Sequence, residues 1–176
     1  MAITIPRPDS TEYPEHYAGY VAEVAEVGDL VTHLAKQADL TRKLFTALSD
    51  TQADFRYAPG KWSVKDIVLH LADAERVFSY RLLTFARHDT NALPGFAEDE
   101  WATAAGAEVR GMAGLAAELH AARMSTCALL QGLGEDTLDR RGTANGRTIS
   151  VRALAWVIAG HELHHLRIVR ERYLTS

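Results

Sequence analysis

The sequence is poor in the features that would settle its class cheaply. It has one cysteine, Cys127, among 176 residues, so an intrachain disulfide framework is excluded and a reducing compartment is expected. No stretch approaches the roughly 20 consecutive apolar residues of a membrane span. Charge of neither sign dominates: 19 Lys and Arg stand against 23 Asp and Glu, a net charge of −4. Nucleic-acid binding normally rests on a basic patch, so neither DNA nor RNA is an expected partner. Proline numbers only five, and Pro6, Pro8 and Pro14 fall in the opening stretch. That stretch also lacks the basic and apolar regions of a secretory leader. The expectation is a cytoplasmic protein, with no membrane partner, acting on a small-molecule substrate.

What is present is helical periodicity. Apolar residues make up 47% and charged residues 24% of the chain, the balance of an ordinary globular domain large enough to bury a core. Residues 1–28 read as an N-terminal arm, with a short helix suggested by the spacing of Tyr13, Tyr17, Tyr20 and Val24. Residues 29–176 read as one bundle domain. Its first helix is expected from about Asp29 to Leu48, with Leu30, Leu34, Ala38, Phe45 and Leu48 inward. Residues 51–61 form a connection with a Pro59-Gly60 turn. Ser63, with Asp66 three residues on, caps a second helix to about Arg87. Its stripe is Ile67, His70, Leu71, Ala74, Phe78, Leu82 and Phe85. Asp89 to Glu100 is too polar and broken for a helix. A third runs loosely from Thr103 and securely from about Met112 to Gln131, its start weakened by Gly106, Gly111 and Gly114, with Leu115, Leu119, Ala122, Thr126, Leu129 and Leu133 inward. A loop with an Asn145-Gly146 turn, suited to a small hairpin, leads to Ser150, which caps a last helix to about Tyr173. Four amphipathic helices sharing one interior make an all-α four-helix bundle.

The chemistry concentrates in Gly160-His161-Glu162-Leu163-His164-His165. Leu154, Ile158, His161, His165, Ile168 and Arg172 step by four and three, so both outer histidines lie on the apolar stripe. Residues four apart stack on one face, which sets two imidazoles side by side as ligands of one metal ion require. His70, inward on the second helix, is the third ligand. Three nitrogens leave a position for water or substrate, the arrangement of catalytic rather than structural zinc. Neutral imidazole suits zinc, nickel, iron, copper and cobalt alike; zinc or nickel is the first expectation for the divalent ion, with iron, manganese or cobalt as alternatives. His164, about 100° round from His165, belongs to the rim. Glu162 is the candidate general base, the alternatives being an exposed carboxylate or a pair with a neighbouring arginine. Asp66 and Asp73 flank His70 and are candidates to orient its ring, although Asp66 also serves the helix cap. Arg81 is placed to meet an anionic substrate or to snorkel at the surface. Cys127 reads as a small buried residue. His161 to His165 also spells H-E-x-x-H, but only 11 residues follow and no strand is expected to hold a peptide, so a protease is discounted.

Tyr57-Ala58-Pro59-Gly60-Lys61-Trp62-Ser63 leading into Val68-Leu69-His70-Leu71-Ala72-Asp73-Ala74-Glu75, then Gly142-Thr143-Ala144-Asn145-Gly146, then Gly160-His161-Glu162-Leu163-His164-His165 with Arg170-Glu171-Arg172-Tyr173, occur in the order and separation of the DinB/YfiT-like superfamily, which the sequence resembles from about Asp29 to Tyr173. The resemblance implies a four-helix bundle with a long crossover connection, a divalent metal on His70, His161 and His165, and a homodimer. It also implies a metal-dependent transferase or isomerase using a low-molecular-weight thiol such as bacillithiol, mycothiol or glutathione, in detoxification or stress response. Many relatives continue the last motif as His-His-Arg-Gly-Gln, where this chain has His165-Leu166-Arg167-Ile168. The first expectation is therefore transfer of a thiol cosubstrate to an electrophile. A metal-dependent hydrolase is the second, and a non-catalytic dimeric bundle with a structural or vestigial metal the third.

Overall fold

The computed structural model describes residues 3–174; Met1, Ala2, Thr175 and Ser176, the ends of the expected arm and bundle, lie outside them. The bundle is built from α2 (Leu30–Thr46), α4 (Val64–Ala86), α6 (Met112–Gln131) and α7 (Val151–Arg172). All four expected helices form with ends moved by no more than two residues, except that the loose start of the third at Thr103 is not realised: Gly106 takes a positive φ of 65° and the helix begins at Met112. Their starts follow local chemistry. Asp29 and Ser150 accept from the backbone amides of Val31 and Ala153. Ser63 and Asp66 cap α4 reciprocally, at 3.1 and 2.8 Å, each such cap stabilising a helix by about 1 kcal/mol.

The connections hold more structure than the sequence suggested. A capping box between Ser49 and Gln52 starts a short α3 (Asp50–Asp54), and Asp54 pairs with Lys65 at 2.8 Å, fastening it to α4. The crossover between α4 and α6 carries α5 (Glu98–Ala104), which begins inside the stretch from Asp89 to Glu100 that was expected to be non-helical. Three consecutive acids, Glu98, Asp99 and Glu100, open that helix, where they complement its dipole. The hairpin is present: β1 (Arg141–Ala144) pairs antiparallel with β2 (Arg147–Ser150), Gly142 opposite Ile149. Asn145 and Gly146 both take positive φ, 51° and 68°, as a type I′ turn demands. The crossover is stitched to the hairpin through Leu93, whose amide donates to Thr143 and whose carbonyl accepts from Asn145. No helix among the described residues is long and apolar enough to cross a membrane.

The arm lies along α7. Its short helix α1 (Ala18–Glu23) packs so closely on α7 that a Cβ at Gly160 would overlap the Tyr20 carbonyl oxygen. Buried Glu12 accepts from Ser150 and Arg152 at the start of α7, at 2.8 and 2.9 Å, and Trp156 donates to the Ile5 carbonyl. These bonds hold a segment that has little periodicity of its own.

The interior is two apolar halves with a polar layer between them. Leu34, Phe78, Leu82, Leu130, Leu154 and Ile158 belong to one half; Phe45, Ile67, Leu71, Leu115, Leu119 and Leu166 to the other. At the junction every bundle helix contributes polar side chains: Gln37 and Thr41 from α2, His70 and Glu75 from α4, Arg123 from α6, and His161 and Glu162 from α7. Arg123 is 1% exposed. Its guanidinium takes both carboxylate oxygens of Glu75, at 2.8 and 2.9 Å, and Glu162 at 2.7 Å. Arg123 was missed because an arginine breaks the apolar stripe; the inward face of α6 is turned toward Arg123, Cys127 and Leu130, leaving Ala122 and Leu129 only half-buried.

Two predictions follow from this packing. Arg123→Ala strands two buried carboxylates and should cost about 3–5 kcal/mol, against about 1 kcal/mol or less for Arg110→Ala, whose bridge to Glu118 is partly exposed; urea unfolding of both variants measures the contrast. Gly160→Ala should loosen the arm while the bundle persists, seen as faster amide exchange confined to residues 18–23.

Candidate metal centre

His70 projects from the second turn of α4, and His161 and His165 from successive turns of α7. One ring nitrogen of each lies within 4.8 Å of the others. The Nε2 atoms of His70 and His161 are 3.2 Å apart, and the three ring centroids are separated by 4.7 to 5.2 Å. Two nitrogens about 2.0–2.1 Å from one zinc ion at a tetrahedral angle lie about 3.4 Å apart, so the triad fits a divalent ion with little movement. All three side chains chosen from spacing are brought together.

An aromatic wall surrounds them. Trp62 lies 4.7 Å from His70 and stacks on His165 at 17°; Tyr20 and Phe78 meet His161 edge-on, at 5.3 and 5.5 Å. The Pro59-Gly60 turn presents Trp62, and its carbonyl is held by the Tyr173 hydroxyl at 2.8 Å. Tyr20 comes from the arm, which sequence alone gave no reason to bring here. Burial holds the imidazoles neutral: His70 is pushed down to about 4 and His165 to about 3, and His161 lies well below the usual histidine range, burial again leading and the neighbouring rings adding. Neutral rings are the ligating form.

Two open cavities meet at the triad. One, of about 600 Å³, reaches His161 past Tyr17, Phe78, Arg81 and Phe96. The other, of about 430 Å³, reaches His70 and His165 past Tyr57, Trp62 and His164. Tyr20, Glu98 and Asp99 border both. Glu98 and Asp99 are thus functional candidates on a connection too polar and broken to be expected helical; a run of three acids in an otherwise mixed chain is their only signal in the sequence.

The remaining candidates are placed as follows. Glu162, proposed as general base, is instead 2% exposed and engaged by Arg123 and by the Thr41 hydroxyl. The step of about 100° from His161 turns it into the bundle interior, and it is the arginine-paired alternative that holds. His164 is half-buried beside the triad: Arg167 donates to its Nδ1 at 3.3 Å, and its ring meets Tyr20 and His165. Neither aspartate orients His70. Asp66 serves the cap and pairs with Arg56 at 2.8 Å, while Asp73 pairs with Arg76 at 3.1 Å. Arg81 does not snorkel; it is 4% exposed and borders the larger cavity. Cys127 is buried, its thiol pushed up to about 11 by burial.

The model of the DinB superfamily matches residues 33–169. A Geobacillus kaustophilus protein named "Putative metal-dependent hydrolase" is 27% identical over 145 residues, covering 81% of this chain and 82% of that protein. A Geobacillus thermodenitrificans protein of the same name is 32% identical over 82 residues, and the match spans 47% of this chain and 46%, less than half, of that protein. Among solved structures, YfiT from Bacillus subtilis, described as "a probable metal-dependent hydrolase with an unusual four-helix bundle topology", superposes with a TM-score of 0.64 at 21% identity, covering 94% of this chain and 90% of that one. At that identity the likeness establishes the fold.

The lowered histidine pKa values carry a pH dependence. Below about pH 6.5 the unfolded chain binds protons at these rings that the folded, metal-free chain refuses down to about 4 at His70 and about 3 at His165. Stability is therefore fully retained above pH 6.5 and falls as the pH is lowered through that window. Melting temperatures in chelator from pH 8 to 4 should decline accordingly, and His165→Gln should flatten the decline.

Proposed function

The chain belongs to the DinB superfamily, and from that premise and the site's geometry we propose that it is a divalent-metal-dependent enzyme of small-molecule hydrolysis. The convergence of His70, His161 and His165 beside two open cavities is the observation that carries this reading. Three neutral imidazoles, bordered by the two cavities, would hold the ion. Bound there, a divalent ion supplies Lewis-acid polarisation of a substrate oxygen and lowers the pKa of an adjacent nucleophile. The relatives' names support water as that nucleophile.

The protein's own groups would do the rest. Glu162, held by Arg123 and the Thr41 hydroxyl, fixes the height of α7, and with it His161, against the other helices. Asp99, whose charge bears on His70, and Glu98 stand at the lip shared by both cavities, and one of them is the proposed proton acceptor in place of Glu162. His164, whose Nδ1 accepts from Arg167, lines the smaller cavity. Tyr20, Trp62 and Phe78 exclude water from the flanks of the triad, which strengthens every electrostatic interaction inside it.

Transfer of a low-molecular-weight thiol is a second reading, favoured by a specific feature: two cavities approach the triad from different sides, one for each reactant of a bimolecular transfer. The two readings separate by whether turnover requires thiol.

Elemental mass spectrometry should find about one divalent ion per chain. His70→Ala, His161→Ala and His165→Ala should each lose it while keeping the helical circular-dichroism signal. Metal retained in any two of these would refute the site. For the loaded protein, hydrolysis of ester and amide panels without thiol should fall about 100-fold or more on removal of the proton acceptor, in Asp99→Asn or Glu98→Gln, and hold in Glu162→Gln wherever that variant folds. Turnover only with added thiol would select the transfer reading.

A further inference from the structure

A buried charge without a counter-ion is costly, and folded proteins pair such groups as a rule. Arg123 obeys, with two carboxylates on one guanidinium. Arg81, on the same side of the bundle as the triad, does not. It is 4% exposed, yet among the described residues no carboxylate lies within the 4.0 Å of an ion pair. Its NH2 group donates to the Pro94 carbonyl at 3.0 Å, its charge borders the Tyr17 hydroxyl, and Phe78 lies 5.8 Å from Cζ. A guanidinium has five N–H donors, so donors are left over. They are not among the sealed, unpartnered atoms, which are those of His33, Gln37 and Arg123. Arg81 borders three hollows, of which the cavity that ends at His161, at about 600 Å³, is larger than the other two, at about 310 and 10 Å³.

The same cavity has an acidic lip. Glu98, Asp99 and Glu100 are exposed at its entrance, so a purely anionic ligand is repelled on approach, whereas a buried cation at the floor rewards an anion once inside. One molecule satisfies both. We propose that the larger cavity takes a small amino-carboxylate zwitterion, its carboxylate supplying the missing counter-ion of Arg81 and its ammonium group lying toward the acid of the Glu98–Asp99 lip that is not the proton acceptor. Tyr17, Tyr20, Phe78 and Phe96 receive its apolar part. The carboxylate anchors the molecule away from the triad, so the group presented to His161 is a different one. Arg81 is on this account a substrate-positioning residue. The inference rests on reading this cavity as the substrate site of the proposed enzyme.

Calorimetric titration of the metal-free wild-type chain separates the two ideas, because no ion is present for a carboxylate to coordinate. The probes are phenylalanine, 3-phenylpropionate without the amine, and phenethylamine without the carboxylate. Phenylalanine should bind about tenfold or more tightly than either. Arg81→Gln keeps a donor for Pro94 but removes the charge, and should bring phenylalanine down to phenethylamine; Arg81→Lys should restore part of the difference. The double variant Glu98→Gln, Asp99→Asn should bring phenylalanine down to 3-phenylpropionate. Phenethylamine binding as tightly as phenylalanine, discrimination surviving in Arg81→Gln, or no measurable binding of any probe at millimolar concentration would each overturn the proposal. A chain that binds no metal yet passes this test would refute the enzyme reading alone.

Discussion

One guanidinium holds the middle of the bundle. Arg123 reaches from α6 to Glu75 on α4 and Glu162 on α7, with Thr41 of α2 closing the far side of Glu162. Apolar packing is tolerant of sliding, since one methylene contact resembles the next, whereas a bidentate ion pair in a low-dielectric interior has a single satisfactory register. The network therefore sets the heights of α4 and α7 against each other. His161 is the chain neighbour of Glu162, and His70 lies little more than one turn before Glu75, so the same register brings the three imidazoles within 4.8 Å. The carboxylate that looked catalytic on paper is the one that keeps the ligands in place.

The polar layer has an inner and an outer part with different electrostatics. Inside, charge meets charge and solvent is excluded. Outside, three neutral rings face two cavities, with carboxylates at the lip and an unpaired arginine at the floor. Neutral rings and an unpaired cation in the same wall are both incomplete arrangements. A divalent ion completes the first and a carboxylate the second. The elements that close the site, α1 and α5, are short and come from the arm and the crossover, so the bundle supplies the rigid ligands and the connections shape what may approach them.

Much of this was legible beforehand because it is local. Helix periodicity put His70, His161 and His165 on inward stripes, and histidines on an apolar face have few other uses. Ser63 with Asp66 and Asn145 with Gly146 announced a cap and a turn through backbone chemistry confined to four residues. Illegible were the features made by partners distant in sequence. Glu162 and Arg123 are 39 positions apart by their numbers, and nothing near either says that they meet. Arg81 looked like a surface residue because burial depends on Pro94, Phe78 and the crossover lying over it.

The amino-acid sequence by itself determined the four helices, their inward faces and the identity of the three histidines, because each depends on side chains a turn or two apart on one rod. The tertiary structure alone decided which carboxylates are free. Glu162 and Glu98 are the same chemical group; the first is neutralised in the core by an arginine from another helix, the second stands at a cavity mouth because a crossover strand-bridged to the hairpin carries it there. Availability of a charge is a property of its surroundings, and those are assembled from segments that the chain brings together only on folding.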